Sequence, residues 1–521
     1  VTTNLVVGSG PSGVMAAKAL LDAGQSVTLV DEGAELEADK RAVVRRLASE
    51  PVDSWDPALV AQVSGYAHEP GGKVPVKLAF GSRFPYADAE QRTLTQDGTK
   101  CLQSGAKGGL STLWGAAVLP NAAAEFDGWP VSPSEMSPHY AEAARCMRVA
   151  GVHDDLEAAF PFHAPPAPAP RASRQADAAL ARMSAHRAAL SAAGFRFGRS
   201  RLALRTEDGP AGKACAYSGL CLSGCPLGAV WSSAELLDEL VAHRGLVYRP
   251  GLRATRVESA GGAVRLRARA ASGAEETLEA RRAFLACGPV STTRLVASSL
   301  GWHDRELTMR YQPYFLLPLL SFGGVPGVET ERLHTLAQAF VELDDSRVSS
   351  HTVHLQLYGY DEHIRDSLSF LGALPPLRRA LAGRLMFFQG YLHSDEADGI
   401  RMSVSNDGAA RLEARPSARA QATIGRAARA VAARSRDFGF LPLLPMLRAG
   451  VPGEGNHVGG IFPMRAAPGD QETDRLGRLK SLPGVHLVDS SVLPSLASTT
   501  FTYTVMANAH RIAAEAAAEG A

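Results

Sequence analysis

The run Gly8-Ser9-Gly10-Pro11-Ser12-Gly13 constrains this chain more than any other feature. Leu5-Val6-Val7 stands directly before it, a short β-branched-rich stretch suited to a buried parallel strand. Residues 14–23 follow, rich in Ala and Leu, and read as a helix that Gly24 ends. Val27-Thr28-Leu29-Val30 then reads as a second strand finishing at Asp31. This is a dinucleotide-binding fingerprint in its strand–turn–helix–strand setting. Gly8 permits the tight turn, Gly10 has no side chain to obstruct a pyrophosphate, and Gly13 lets helix and strand approach closely. The phosphates then lie at the positive helix N-terminus, and Asp31 is placed to accept hydrogen bonds from ribose hydroxyls. The competing reading, a glycine-rich turn with no ligand, does not explain the βαβ context or the acid that closes it. The motif alone does not separate FAD from NAD.

With 521 residues and 45% hydrophobic side chains, the chain can bury a large core or two domain-sized units without disulfides. The 54 basic and 53 acidic side chains leave a net charge of +1. That balance provides no global field for nucleic acid or an anionic membrane, so the expected ligands are small molecules. No apolar run is long enough to cross a bilayer. Strand-like sequence begins at once with Asn4-Leu5-Val6-Val7, with no charged segment and cleavage site before it. The expected location is therefore cytoplasmic.

Other stretches carry a family resemblance. Gly484-Val485-His486-Leu487-Val488-Asp489-Ser490-Ser491-Val492-Leu493-Pro494 resembles the closing strand and turn of the glucose–methanol–choline FAD oxidoreductases. The resemblance implies that Asp489 lies near the FAD phosphates and ribityl chain. It also implies a last helix, from about residue 502 to 518, whose N-terminus faces the flavin pyrimidine. Gly108-Gly109-Leu110-Ser111-Thr112-Leu113-Trp114-Gly115 resembles the flavin-hugging loop of the sugar-oxidising branch, pyranose oxidases included. That likeness implies cofactor contacts from Gly108, Gly109, Ser111 and Thr112. Some relatives bond FAD covalently through a His where this chain has Leu113, so the expected FAD is non-covalent. Leu285-Ala286-Cys287-Gly288-Pro289 and the residues to Leu295 resemble the strand and turn that return to the nucleotide.

Oxidising an alcohol on a flavin requires hydride transfer from carbon and a group that takes or polarises the hydroxyl proton. Neutral imidazole suits the second task. Asn456-His457-Val458-Gly459-Gly460 resembles the family's His-x-x-Gly-Thr segment, which places the catalytic base at His457. The alternative for His457 is an ordinary core histidine with satisfied hydrogen bonds. The family usually adds a second His or Asn before the last helix, where this chain has Thr500 in Ser498-Thr499-Thr500-Phe501-Thr502. A threonine hydroxyl both donates and accepts, with shorter reach.

Three of six cysteines, Cys215, Cys221 and Cys225, fall in one run that ends in Pro226. The pattern is close to a ferredoxin C-x2-C-x2-C-x3-C-P run with Ser218 replacing one ligand. It also resembles the cluster loop of bacterial FAD-dependent glucose and fructose dehydrogenases. Two readings stand: a [3Fe-4S] cluster passing flavin electrons to an acceptor protein or quinone, or a loop of buried thiols.

The expected fold class is α/β, a Rossmann-like FAD-binding domain with a second α+β substrate domain built on an antiparallel sheet. Residues 1–120, 205–300 and 456–521 are assigned to the first, 121–204 and 301–455 to the second. Segments 350–359 and 385–392 read as strands roofing the flavin. Segments 368–388 and 438–447 are strongly apolar, and because prolines interrupt both they read as a buried helix and a lid rather than a lipid-facing surface. The leading functional expectation is an FAD-dependent dehydrogenase for a sugar-like or polyol hydroxyl. An oxygen-using oxidase without a cluster, a flavin-scaffold lyase or isomerase without net redox change, and a non-catalytic FAD-binding subunit are the alternatives.

Overall fold

The computed structural model describes residues 2–67, 76–86, 93–210, 212–368 and 374–519. The strand Thr2–Val7 runs parallel to Val27–Val30 on one side, with Val7 beside Val30, and to Glu275–Leu285 on the other, with Val7 beside Leu285. Val247–Arg249 extends this sheet beyond Val27–Val30, and Val485–Leu487 adds a further parallel strand beside Glu275–Leu285. Leu252–Ala260 and Ala263–Ala270 continue it as an antiparallel flap. Every side chain of Val27–Val30 is buried, which explains an unbroken apolar strand where alternation would mark a half-exposed one. The helix Pro11–Asp22 packs on the last helix, Thr502–Ala518, which also packs on Pro133–Met147.

A second sheet runs Phe440–Pro442, Tyr314–Ser321, Leu385–Tyr391, Val353–Tyr358, Ala339–Leu343, Phe195–Arg199, with every neighbouring pair antiparallel. Its side-chain period of two gives its faces different characters. Val353, Leu355, Leu357, Met386 and Phe388 join a core closed by Ala420, Ile424, Ala427 and Val431 of the helix Ala418–Ala433. The intervening residues Gln356, Tyr358, Gln389 and Tyr391 face a cavity under the sheet. A third sheet carries Val458–Gly459 against Leu307–Tyr311. These sheets and helices bear out the α/β class.

The two apolar segments differ from expectation. In 438–447, Phe438 and Phe440 are buried, but Leu441, Leu444 and Met446 are exposed. Leu441 points outward from the strand Phe440–Pro442, whose alternate residues face opposite ways, and Leu444 and Met446 lie on the turn that follows it. Of segment 368–388, residues 369–373 lie outside the described residues, and the helix Pro375–Ala382 leaves Leu377 exposed. Among the described residues, no helix is long and apolar enough to cross a membrane.

Candidate active site

One cavity, of about 460 Å³, reaches from the glycine turn to the underside of the second sheet. Three helices bring N-termini with no side-chain cap to its wall: Pro11–Asp22 after Gly10, Pro289–Leu300 after Gly288, and Thr502–Ala518 after Phe501. Their first-turn N–H groups and dipoles suit an anionic or electron-rich ligand. At Gly10 an added Cβ would meet nothing within 4 Å, so open cavity lies over that Cα. At Gly13 a Cβ would come 1.9 Å from the Gly8 carbonyl oxygen, which makes its glycine a packing requirement. A dinucleotide's pyrophosphate fits this wall.

Asp31 lines the same end and accepts a hydrogen bond from the Ser9 hydroxyl. Burial pushes its carboxyl up to about 6, opposed by the bonds from Ser9 and from the backbone at Glu32 and Gly33. Gly8, Gly109, Ser111, Leu113 and Asp489 also line the cavity, whereas Gly13, Gly108 and Thr112 stand behind its wall. Thr112 turns its hydroxyl onto the Gly109 carbonyl (2.9 Å). Ser111 donates to the Gly108 carbonyl (2.6 Å) and accepts from the Ser233 N–H (2.9 Å), tying the loop to the helix Ser233–Arg244. Asp489 accepts from the Gly288 N–H (3.0 Å), the Thr292 hydroxyl (2.5 Å) and the Ser491 N–H (2.9 Å). Its carboxylate therefore locks the turn at Gly288 to the closing strand.

At the other end stands His457. Asn456, with φ at 58°, turns the chain in the left-handed region and delivers His457 to the strand Val458–Gly459. That strand lies so close to the 490 loop that a Cβ on Gly459 would sit 2.3 Å from the Ser490 carbonyl oxygen. The imidazole is stacked on Tyr391 (centroids 4.9 Å apart, 28°) and meets Phe501 edge-on (4.9 Å, 75°). Burial, with a smaller repulsion from His354, lowers its pKa to about 3. A neutral imidazole facing the cavity can accept a proton. Thr500 also lines the cavity, and its hydroxyl oxygen accepts from the Leu119 N–H (2.9 Å). Its hydroxyl hydrogen remains available to a ligand.

Sequence reasoning anticipated the strands at 350–359 and 385–392 but missed the polar side chains they present to the cavity, and it missed Gln312. A buried relay runs from the Tyr358 hydroxyl to Gln356 Oε1 (2.9 Å), from Gln356 Nε2 to His354 Nε2 (3.1 Å), and from His354 Nδ1 to Glu342 (2.7 Å). Tyr391 accepts from Gln389 Nε2. Polar residues alternating with Val, Leu and Phe in 353–358 and 386–391 were the available signal. Gln312 offered none: it meets His457 only because Tyr311 pairs with Val458.

The iron–sulfur expectation finds no support. Cys215, Cys221 and Cys225 are half-buried on one loop, which Phe80 braces by packing against Gly224. Burial pushes the Cys215 thiol up to about 11 and the Cys221 thiol up to about 12, and Cys221 is also hydrogen-bonded to Thr335. Among the described residues the one group whose ligand atoms lie close enough to share a single ion is Glu125, His351 and His393, not the cysteine loop. Those two imidazoles stack face to face at 3.7 Å and 13°. Ring nitrogens bound to one ion at about 2.1 Å point their in-plane lone pairs at a common spot, which face-stacked rings do not.

The FAD binding domain family matches residues 1–48. No curated protein matches the chain by sequence. Among solved structures the chain is similar to pyridoxine 4-oxidase from Mesorbium loti, with 16% identity, a TM-score of 0.59, and 99% of each chain covered. At that identity the likeness shows the fold alone.

Proposed function

We propose that this chain is an FAD-dependent oxidoreductase that oxidises the C–OH group of a small hydroxylated substrate, with His457 as the base. The observation that carries this reading is a half-buried, neutral imidazole at the far end of the cavity that begins at the dinucleotide turn. The adenosine end would be held by Gly8, Gly10 and Asp31, and the flavin end by the loop 109–117 and the N-terminus of Thr502–Ala518. Leu113 offers no side chain for a covalent link. Bound there, FAD supplies the hydride acceptor. His457 Nε2 takes the hydroxyl proton, and the Thr500 hydroxyl donates to the same substrate oxygen. Tyr358 directs an acceptor lone pair downward because its hydrogen is committed to Gln356, and Tyr391 has a hydrogen to donate because Gln389 fills its lone pair. Such neutral, paired donors and acceptors suit a sugar, a polyol or a hydroxymethyl-bearing ring. Residues 121–204 and 301–455 would form the substrate-binding domain, and residues 1–120, 205–300 and 456–521 the FAD-binding domain.

The preference for a dehydrogenase rested on the cysteine loop. With no cluster supported, and with the similar enzyme named an oxidase, oxygen becomes the first acceptor to test. The deciding experiment mixes purified holoenzyme anaerobically with D-glucose, D-sorbitol or pyridoxine and follows flavin absorbance. Bleaching by one of them, then reoxidation and peroxide when air is admitted, is expected. Turnover without bleaching would favour the lyase or isomerase reading. His457→Ala should slow bleaching by roughly 10²–10⁴, and an unchanged rate would remove His457 as the base.

A further inference from the structure

Gln312 is buried at the junction of the segments that carry His457 and Thr500. Its backbone N–H donates to the His457 carbonyl (3.1 Å). Its side-chain amide nitrogen donates to the carbonyls of Ala497 and Thr499, the latter at 2.9 Å. Carbonyl oxygens only accept, so this end of the amide must be the NH₂ group. The other end, Oε1, therefore faces His457 Nδ1 at 2.5 Å. An amide oxygen also only accepts, so Nδ1 must carry a hydrogen. A neutral imidazole has one N–H, which leaves Nε2 with its lone pair. A 180° ring flip would put Cδ2 opposite Gln312 Oε1 and forfeit this bond, and Tyr391 and Phe501 pack against the ring as it stands.

We infer that Gln312 is the positioning residue of this site: it fixes the His457 proton on Nδ1, presents a bare Nε2 to the substrate hydroxyl, and holds that nitrogen in register with Thr500. The catalytic role rests on the reading of His457 as the base, while the tautomer stands independently of it. An amide in this place has a further consequence. A carboxylate would attract the proton the base accepts and slow its release, whereas a neutral amide orients the ring without storing charge beside it. The other titratable groups facing the ring are Tyr391, which burial holds protonated, and His354, which is tied to Glu342. Glu454, three residues upstream, is engaged by Arg448 and Lys100. Gln312 therefore controls the tautomer.

The test is the ring-nitrogen NMR spectrum of holoenzyme labelled with ¹⁵N-histidine at pH 7, with His457→Ala assigning the resonance. The expected result is one tautomer, protonated at Nδ1, in the wild type, and a mixture of tautomers in Gln312→Met. A wild-type proton on Nε2, or an unchanged spectrum in Gln312→Met, would overturn the inference. In parallel, flavin bleaching by whichever trial alcohol reduces the enzyme should slow roughly tenfold to hundredfold in Gln312→Met, less than when the base itself is removed, with KM and bound FAD preserved. A rise in KM with no loss of rate would mean that Gln312 acts in binding, and would also overturn the positioning role. If His457→Ala leaves bleaching intact, the base reading fails, and the wild-type spectrum still decides the tautomer. Should Gln312→Met not fold, the wild-type spectrum remains decisive.

Discussion

Asp31 illustrates how one buried side chain sets a binding property. Its carboxyl is raised to about 6 because burial outweighs the hydrogen bonds from Ser9 and the neighbouring backbone. A ribose hydroxyl donates to the ionised form and finds a weaker acceptor in the protonated one. FAD should therefore bind more tightly at pH 8 than at pH 5, with the change centred near 6. Asp31→Asn should weaken binding at pH 8 by roughly tenfold to hundredfold, the range of a hydrogen bond to a charged group, and should flatten the pH dependence. Fluorescence titration of the apoprotein with FAD measures both effects, and equal affinities at the two pH values would refute the role. Asp31 was legible in the sequence because motif, helix and acid lie within one short stretch. His457 was legible for a similar reason, a local motif. Gln312 was not, because it meets His457, 145 positions away, only through the pairing of Tyr311 with Val458. No local pattern distinguishes such a glutamine from a solvent-facing one.

Elements show the same division. The first strand, its glycine turn and the last helix could be read directly, since each carries its own periodicity and breakers. Strands 350–359 and 385–392 were also readable, and the alternation within them sets one face apart, but only the helix Ala418–Ala433 covering the other shows that the polar face is the one turned to the cavity. The cysteine run shows the converse: spacing suggested a shared ligand set, while the folded loop gives it no support. Gly13 offers a sharp test of how element packing controls cofactor binding. Its absent side chain lets the helix Pro11–Asp22 touch the turn, and a Cβ would overlap the Gly8 carbonyl oxygen. Gly13→Val must push helix and strand apart at a cost of about 1–3 kcal/mol or more. The expected product is a less stable protein that purifies without flavin, read from its absorbance and melting temperature. A yellow protein of unchanged stability would show that helix and strand have slack there.

On the scale of the whole molecule, burying neutral histidines couples stability to pH. Burial lowers His457 and His334 to about 3, and His139 and His486 to about 4. Each lies below the value of about 6.5 expected of an unfolded histidine. The unfolded chain therefore binds protons that the folded chain refuses, and these contributions are complete above 6.5 and lost as pH falls toward 4 and then 3. Each such histidine removes about 1.4 kcal/mol per pH unit within that window. Asp31 acts in the opposite sense: raised to about 6, it stabilises the fold fully below the ordinary aspartate value and loses that contribution as pH rises through 6. His163, His351 and His510 are also lowered, and Asp154 and Asp489 also raised, so seven histidines stand against three aspartates and the melting temperature at saturating FAD should fall between pH 7 and pH 5. His334 separates this effect from catalysis, since it is buried beside Gln338 and lies outside the cavity wall. His334→Gln removes one proton from the linkage and should flatten the dependence, with flavin reduction by the alcohol unchanged. A melting temperature that rose on acidification would mean that the carboxyl groups, not the histidines, govern the stability of this fold.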